Sequence, residues 1–163
     1  MAQGGEGQTG MGGGESAAGF VQALSRAERL ISQQLARITA EHGLVLEQWR
    51  VLDLLTDGSG RSMGEIADDV LVPPPTLTRL TDRMVTDNLV HRRIDPADRR
   101  RVLLFASPRG KKLHAQVQQD ITRFEYELDD EADLVDVPRL TDMLTRLIRH
   151  ATRYGCGDFE PSR

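Results

Sequence analysis

Apolar residues recur in steps of three and four through most of the chain. Phe20, Leu24, Ala27, Ile31, Leu35 and Ile38 form one stripe and predict a long helix that Gly43 stops. Leu46, Trp49, Leu52 and Leu55 predict a second helix, followed by a turn at DGSG, residues 57–60. Ser62 stands three residues before Glu65, the spacing of a capping box, so a short third helix starts there with Ile66 and Val70 inward. VPPP, residues 72–75, breaks it. Because proline is tolerated in the first turn of a helix, the triplet also opens a fourth helix, running to about Asn88 and anchored by Leu77, Leu80 and Met84. LVHRRI (89–94) and RVLLFA (101–106) are short apolar-rich runs joined by DPADRR, which predicts a β-hairpin with a protruding loop. In SPRG, Ser107 suits an N-cap and Pro108 the first position of a fifth helix, with a stripe of Leu113, Val117, Ile121, Phe124 and Leu128. The acidic run DDEADLVD ends it. A sixth helix begins near Pro138 with Leu140, Leu144, Leu147 and Ala151 on one face. Residues 1–15, rich in Gly and poor in apolar side chains, predict a disordered tail, and GCGDFEPSR a frayed one.

The expected fold class is therefore mainly α with a small β-hairpin wing: a helix-turn-helix followed by a hairpin, flanked by further helices. This arrangement suits double-stranded DNA. The second helix of the pair fits the major groove, and the hairpin can reach a phosphate strand or the minor groove beside it.

Charge sharpens that picture. The 163-residue chain has a formal net charge of −4. Yet residues 92–113 hold eight Lys and Arg against two Asp. Screening confines charge effects to roughly 8–10 Å, so a local basic patch acts independently of the acidic sum. The remaining composition mainly excludes. No apolar run approaches the roughly 18 residues of a membrane span, and residues 1–19 lack the pattern of a secretory signal. The single cysteine, Cys156, forms no internal disulfide and fits a reducing cytoplasm. The scattered histidines make no metal cluster, no cofactor motif is present, and no paired carboxylates, nucleophile motif or phosphate loop suggests an enzyme.

The run LVHRRIDPADRRRVLLFASPRGKKL resembles the signature of the MarR family of bacterial transcription regulators: a strand, a D-x-x-D-x-R-like wing, a second strand, then a Thr/Ser-x-x-Gly helix start. EIADDVLVPPPTLTRLTDRMVTDNLV is similar to the family's helix-turn-helix. The likeness covers about residues 20–152. It departs in SPRG, where LTxxG is commoner, and in the three prolines entering the recognition helix. The resemblance implies a homodimer held by the first, fifth and sixth helices. The domains become a tail at 1–15, an N-terminal dimerisation helix at 16–43, a winged helix-turn-helix lobe at 44–107, C-terminal dimerisation helices at 108–152 and a tail at 153–163. Two-fold symmetry implies a pseudo-palindromic operator with half-sites about 34 Å apart.

Site residues follow by position. Arg100 matches the family's wing-tip arginine and is expected in the minor groove. Asp98 orients it or braces the wing. Arg99 and Arg101 are expected on phosphates. Arg79 is the first choice for a base contact, to guanine, with Thr76 and Thr78 near a thymine methyl or a phosphate. Arg83 reaches phosphate or pairs with Asp87. Ser62 caps its helix, and its hydroxyl can also lie near a phosphate. Lys111 and Lys112 sit where a helix dipole disfavours cations, which hints at a phosphate partner or leaves them simply solvated.

The family resemblance also implies release from DNA by a small, often anionic aromatic ligand. His42, Trp49 and Arg50 lie near the junction of the first two helices and are the candidates to line its site; a core role for Trp49 and a helix-end role for His42 stay open. The resemblance gives no support for peroxide sensing, because the chain has no cysteine in its N-terminal region. The expected function is a sequence-specific DNA-binding regulator, a repressor. The alternative is a winged-helix protein-interaction module whose arginines meet an acidic protein surface.

Overall fold

A computed structural model describes residues 13–130 and 136–155. In chain order its elements are α1 (Gly13–Glu41), α2 (Leu46–Leu54), β1 (Arg61–Ser62), α3 (Met63–Val70), α4 (Pro74–Thr86), β2 (Val90–Ile94), β3 (Val102–Ala106), α5 (Pro108–Asp130) and α6 (Val137–Gly155). The chain divides into two compact units, 1–114 and 115–163. The first carries every element from α1 to the first two turns of α5; the second holds the rest of α5 and α6.

The expected fold class holds: helices predominate around a small antiparallel sheet. The predicted hairpin is present, Val90 pairing with Ala106 and Ile94 with Val102. The sheet gains a third strand that periodicity did not announce. Arg61 and Ser62 pair with Leu104 and Leu103, giving the order β1-β3-β2. Two residues are too few to show alternation, so this strand is set by its partner rather than by its own sequence. The first helix begins at Gly13, three residues before the expected start, inside the stretch read as a tail. The rest of that stretch lies outside the described residues, as do 131–135 of the acidic run and 156–163 with Cys156.

The core of the first unit is where the apolar stripes meet. Val51, Leu52 and Leu55 of α2 and its C-terminal flank, Ile66 of α3, Leu77 and Met84 of α4, and Val90 and Leu104 of the hairpin are all buried. Thr81 is buried with them, its hydroxyl donating to the Thr78 carbonyl at 3.0 Å. Helix ends follow local chemistry. Gly43 takes φ +73 just past α1, where the Leu44 N–H returns to the Thr39 carbonyl at 3.0 Å. Asn88, at φ 55, ends α4 while the Leu89 N–H donates to the Met84 carbonyl at 2.8 Å.

The start of α5 explains SPRG. The Ser107 hydroxyl accepts from the Gly110 N–H at 3.0 Å and donates to the Asn88 carbonyl at 2.6 Å. The Ser107 N–H donates to the Leu89 carbonyl at 2.9 Å. One serine thus caps α5 and ties it to the end of α4. Gly110 is there because its backbone presses on Leu89. A Cβ would lie well under 3.0 Å from the Leu89 carbonyl oxygen, and 3.0 Å from Leu52 Cδ2.

In the second unit Val117 and Ile121 of the α5 stripe are buried, while Leu128 is exposed. The apolar face of α6 stays open in the single chain, with Leu140, Met143, Leu147 and Ile148 exposed. So does much of α1, through Phe20, Val21, Leu24, Leu30 and Ile31.

Candidate nucleic-acid interface

The wing is built by two aspartates. Residues 95–101 leave β2 and return to β3, closed by the Asp95 N–H donating to the Arg101 carbonyl at 3.0 Å. Inside that closure the Asp95 carboxylate accepts from the Ala97 N–H at 2.8 Å, and the Asp98 carboxylate from the Arg100 N–H at 2.9 Å. These are Asx turns, in which a short carboxylate satisfies backbone that has no strand partner. Of the two roles expected for Asp98, the geometry realises the brace: it holds the backbone of Arg100 and leaves the guanidinium alone. The whole tip, residues 96–101, is exposed.

Beneath the tip the hairpin has two faces. Val90, Leu104 and Ala106 enter the core. On the other, His91 stacks on Phe105 with ring centroids 5.7 Å apart, and the Arg93 guanidinium lies 5.6 Å from the same ring. Gly60, at φ +70, lies under Phe105 and leaves no room for a Cβ. Phe105 thus joins the wing to the turn before β1.

Two ion pairs fasten the hairpin to the helix-turn-helix. Arg92 of β2 reaches Asp82 of α4 at 2.6 Å, and Arg101 reaches Glu65 at 3.5 Å. Both pairs are largely exposed, so each contributes little stability; they fix direction rather than strength. Glu65 also completes the predicted capping box. Its carboxylate accepts from the Ser62 N–H at 2.7 Å and the Ser62 hydroxyl at 2.6 Å, while the Glu65 N–H donates to Ser62 Oγ at 3.4 Å. The Ser62 hydroxyl bond above all, then the Ser62 N–H and the nearby Arg101 and Arg61, hold the Glu65 carboxyl below its ordinary range. Asp57 is lowered likewise, first by the Ser59 backbone N–H and then by its hydroxyl. Arg61 pairs with Asp57 at 2.7 Å and also donates to the Ser59 hydroxyl.

The expected contact residues therefore fall into two groups. Ser62 and Arg101 are engaged in the Glu65 network. The Thr78 hydroxyl donates to the Pro74 carbonyl at 2.9 Å, and Arg83 pairs with Asp87 at 3.2 Å, the intrahelical alternative for that residue. By contrast Thr76, Arg79, Arg99 and Arg100 are exposed and make no side-chain hydrogen bond or ion pair with the described residues. Free guanidinium groups thus stand on the outer side of α4 and at the wing tip, within one unit.

Sequence reasoning missed Asp82 and Arg92, which couple wing to helix, and the Phe105 stack. The alternation in VHRRI carried some of that signal, since residues 91 and 93 share a face with an aromatic partner across the hairpin. The pairing of Asp82 with Arg92 had no local signature.

The candidate ligand residues lie elsewhere on the unit. Trp49 stacks on His114, the rings 4° from parallel and 6.2 Å apart, and His114 Nε2 is 2.9 Å from Asp53 Oδ1. The Trp49 Nε1 hydrogen is buried without an acceptor among the described residues. Arg50 donates to the Ser32 hydroxyl of α1 at 3.1 Å, and Ser32 donates to Glu28. His42 follows the end of α1, its N–H donating to the Thr39 carbonyl at 3.1 Å. The geometry sets Trp49 and Arg50 on α2 and His42 just past the end of α1. Among the described residues, no three His, Cys, Asp or Glu groups could hold a metal ion, and no helix is long and apolar enough to cross a membrane.

Comparison with known proteins agrees with this geometry. The sequence profile described as "MarR family" matches residues 42–101. The homoprotocatechuate degradative operon repressor of Escherichia coli is 24% identical over 126 residues, covering 77% of this chain and 85% of the relative. The HTH-type transcriptional regulator MhqR of Bacillus subtilis is 26% identical over 131 residues, covering 80% and 90%. Among solved structures, the transcriptional regulator BldR from Sulfolobus solfataricus superposes with a TM-score of 0.76 at 19% identity, covering 86% of this chain and 99% of that one. The transcriptional repressor CouR, bound to a 23-mer DNA duplex, superposes with a TM-score of 0.68 at 26% identity, covering 88% and 99%.

Proposed function

We propose that the chain is a MarR-family transcription regulator of the DNA-binding repressor class rather than an enzyme, that it binds a pseudo-palindromic operator as a homodimer in the cytoplasm, and that it is released by a small anionic or aromatic ligand. The observation that carries this reading is the division of charge on the winged-helix lobe. Arg79, Arg99 and Arg100 have no protein partner among the described residues, whereas Arg83, Arg92 and Arg101 are paired. An unpaired guanidinium presents five donors in a planar fork that matches the acceptors of a phosphate or of a guanine edge.

Arg79 reads a base in the major groove, Thr76 approaches base or backbone beside it, and Arg100 enters the adjacent minor groove. Arg99 sits on phosphate. Thr78, Arg83, Asp98, Arg101 and Ser62 position the elements that carry these groups. The open apolar faces of α1 and α6 support the second copy, since a solvated monomer does not keep such faces uncovered. On this reading residues 16–43 and 108–152 serve dimerisation and 44–107 form the DNA lobe. The buried Trp49 N–H supports a ligand with an acceptor oxygen, and Arg50 supplies the positive charge beside it in sequence.

Selection of bound duplexes from a random pool tests the DNA reading directly. The expected result is one enriched motif with two half-sites about one helical turn apart. No enrichment, together with binding that is weak and indifferent to sequence, would instead favour a protein-interaction module.

A further inference from the structure

The fourth helix enters its ligand through three prolines. Pro73 is its N-cap, and Pro74 and Pro75 are its first two residues. None of the three has an N–H. The next two amides are also spent: the Thr76 N–H donates to the Pro73 carbonyl at 2.9 Å and the Leu77 N–H at 3.0 Å. A helix N-terminus ordinarily offers up to four free N–H groups to an anion. This one offers none, so a DNA phosphate gains no backbone hydrogen bond at the leading end of the recognition helix.

In place of donors the first turn presents carbon. Pro73, Pro74 and Pro75 are all exposed. At 3.6 residues per turn, Pro75 points opposite to the buried Met84, nine residues on, and well away from the buried Leu77. It shares the outward side with Arg79, one turn later, which has no partner of its own among the described residues. The Thr78 hydroxyl is turned back to the Pro74 carbonyl. An apolar ring leading a helix into a polar groove gains only where it meets apolar surface, and the one apolar group on the floor of the major groove is the thymine 5-methyl.

We propose that the Pro75 ring reads a thymine 5-methyl group beside the base contacted by Arg79, so that each half-site holds one thymine selected by apolar contact rather than by hydrogen bonding. This rests on the reading of α4 as a major-groove helix. It also gives the proline run a role in specificity, beyond setting the helix start.

The test uses the full chain and the operator recovered by selection. Each thymine of a half-site is replaced in turn by deoxyuridine, which removes the methyl and keeps the base pair. The expected result is a loss of about fourfold in affinity at one thymine per half-site, the effect of one buried methyl-sized group, with little change at the others. In the Pro75→Ser protein, with a helical spectrum like the parent's, that position should no longer distinguish thymine from uracil. An operator bound equally well with every thymine methyl removed would overturn the inference alone. So would a Pro75→Ser protein that keeps the full penalty. A selection that enriches nothing would overturn the DNA reading itself and the inference with it.

Discussion

Replacing Gly110 by alanine sets two effects of opposite sign against each other. Gly110 is the third residue of α5, and in an exposed helix the change to alanine gains about 0.8–1 kcal/mol through backbone entropy. Here the new methyl would overlap the Leu89 carbonyl oxygen, well under 3.0 Å away, and touch Leu52 Cδ2 at 3.0 Å. Neither neighbour yields freely. Leu52 and Leu89 are both buried, and the Leu89 carbonyl accepts from the Ser107 N–H at 2.9 Å. Moving that carbonyl lengthens this bond and disturbs the Ser107–Asn88 bond beside it. Forced overpacking costs about 1–3 kcal/mol, and two weakened hydrogen bonds about 1 kcal/mol each. Against the helical gain the balance is about 2–4 kcal/mol of destabilisation. Urea unfolding followed by far-ultraviolet circular dichroism reads it as a lower midpoint at unchanged slope. An unchanged or higher midpoint would refute the claim that close approach to Leu89, rather than local flexibility, places glycine there.

Three further outcomes are expected. Arg100→Ala should weaken operator binding by about 1–3 kcal/mol, while Arg99→Ala should mainly flatten the salt dependence; equal effects on both measures would remove the distinction between groove and phosphate contact, and sedimentation should show the oligomer intact in each. Glu65 and Asp57 are depressed in the folded state, so their stabilisation is complete above their ordinary values of 4.5 and 3.8 and is lost as pH falls through the lower folded values. Because Ser62 supplies the largest part of the Glu65 shift, the stability gap between wild type and Ser62→Ala should narrow on acidification, and a gap constant from neutral pH to acid would contradict the assignment. Ile148→Asp places a charge on the open face of α6, where the side chain is 63% exposed, so it should leave helix content unchanged yet shift the sedimenting species to a monomer.

Most of the fold was legible because each helix announced itself twice, by a stripe and by an end. Ile66 and Val70 fixed a face of α3, and Ser62 with Glu65 fixed its start. The hairpin was legible for the same reason: two apolar-rich runs and a turn rich in aspartate. What escaped were features with a long-range cause. The strand at Arg61–Ser62 exists because Leu103 and Leu104 present an open edge. The start of α1 at Gly13 runs through a glycine-rich stretch whose composition argues for the opposite. For the interface, the sequence located the basic positions but could not divide them, since an arginine's partner can be eighteen or thirty-six residues away, as Ser32 is from Arg50 and Glu65 from Arg101.

On the proposed function, that division also accounts for the concentration of positive charge near the hairpin of an acidic chain. Eight basic residues in 92–113 would create an indiscriminate polyanion binder if all were free. The folded lobe neutralises some of them with carboxylates brought from other elements: Asp82 faces Arg92, and Glu65 faces Arg101. Asp95 and Asp98 spend their oxygens on backbone N–H groups, so they shape the tip without pairing with Arg99 or Arg100. Removing one of those braces should therefore act differently from removing a pair. Without the Asp98 carboxylate the tip loses the bond that orients the Arg100 backbone, and specificity falls even as net positive charge rises. Without Asp82, Arg92 becomes one more free cation, and binding to unrelated duplexes should strengthen.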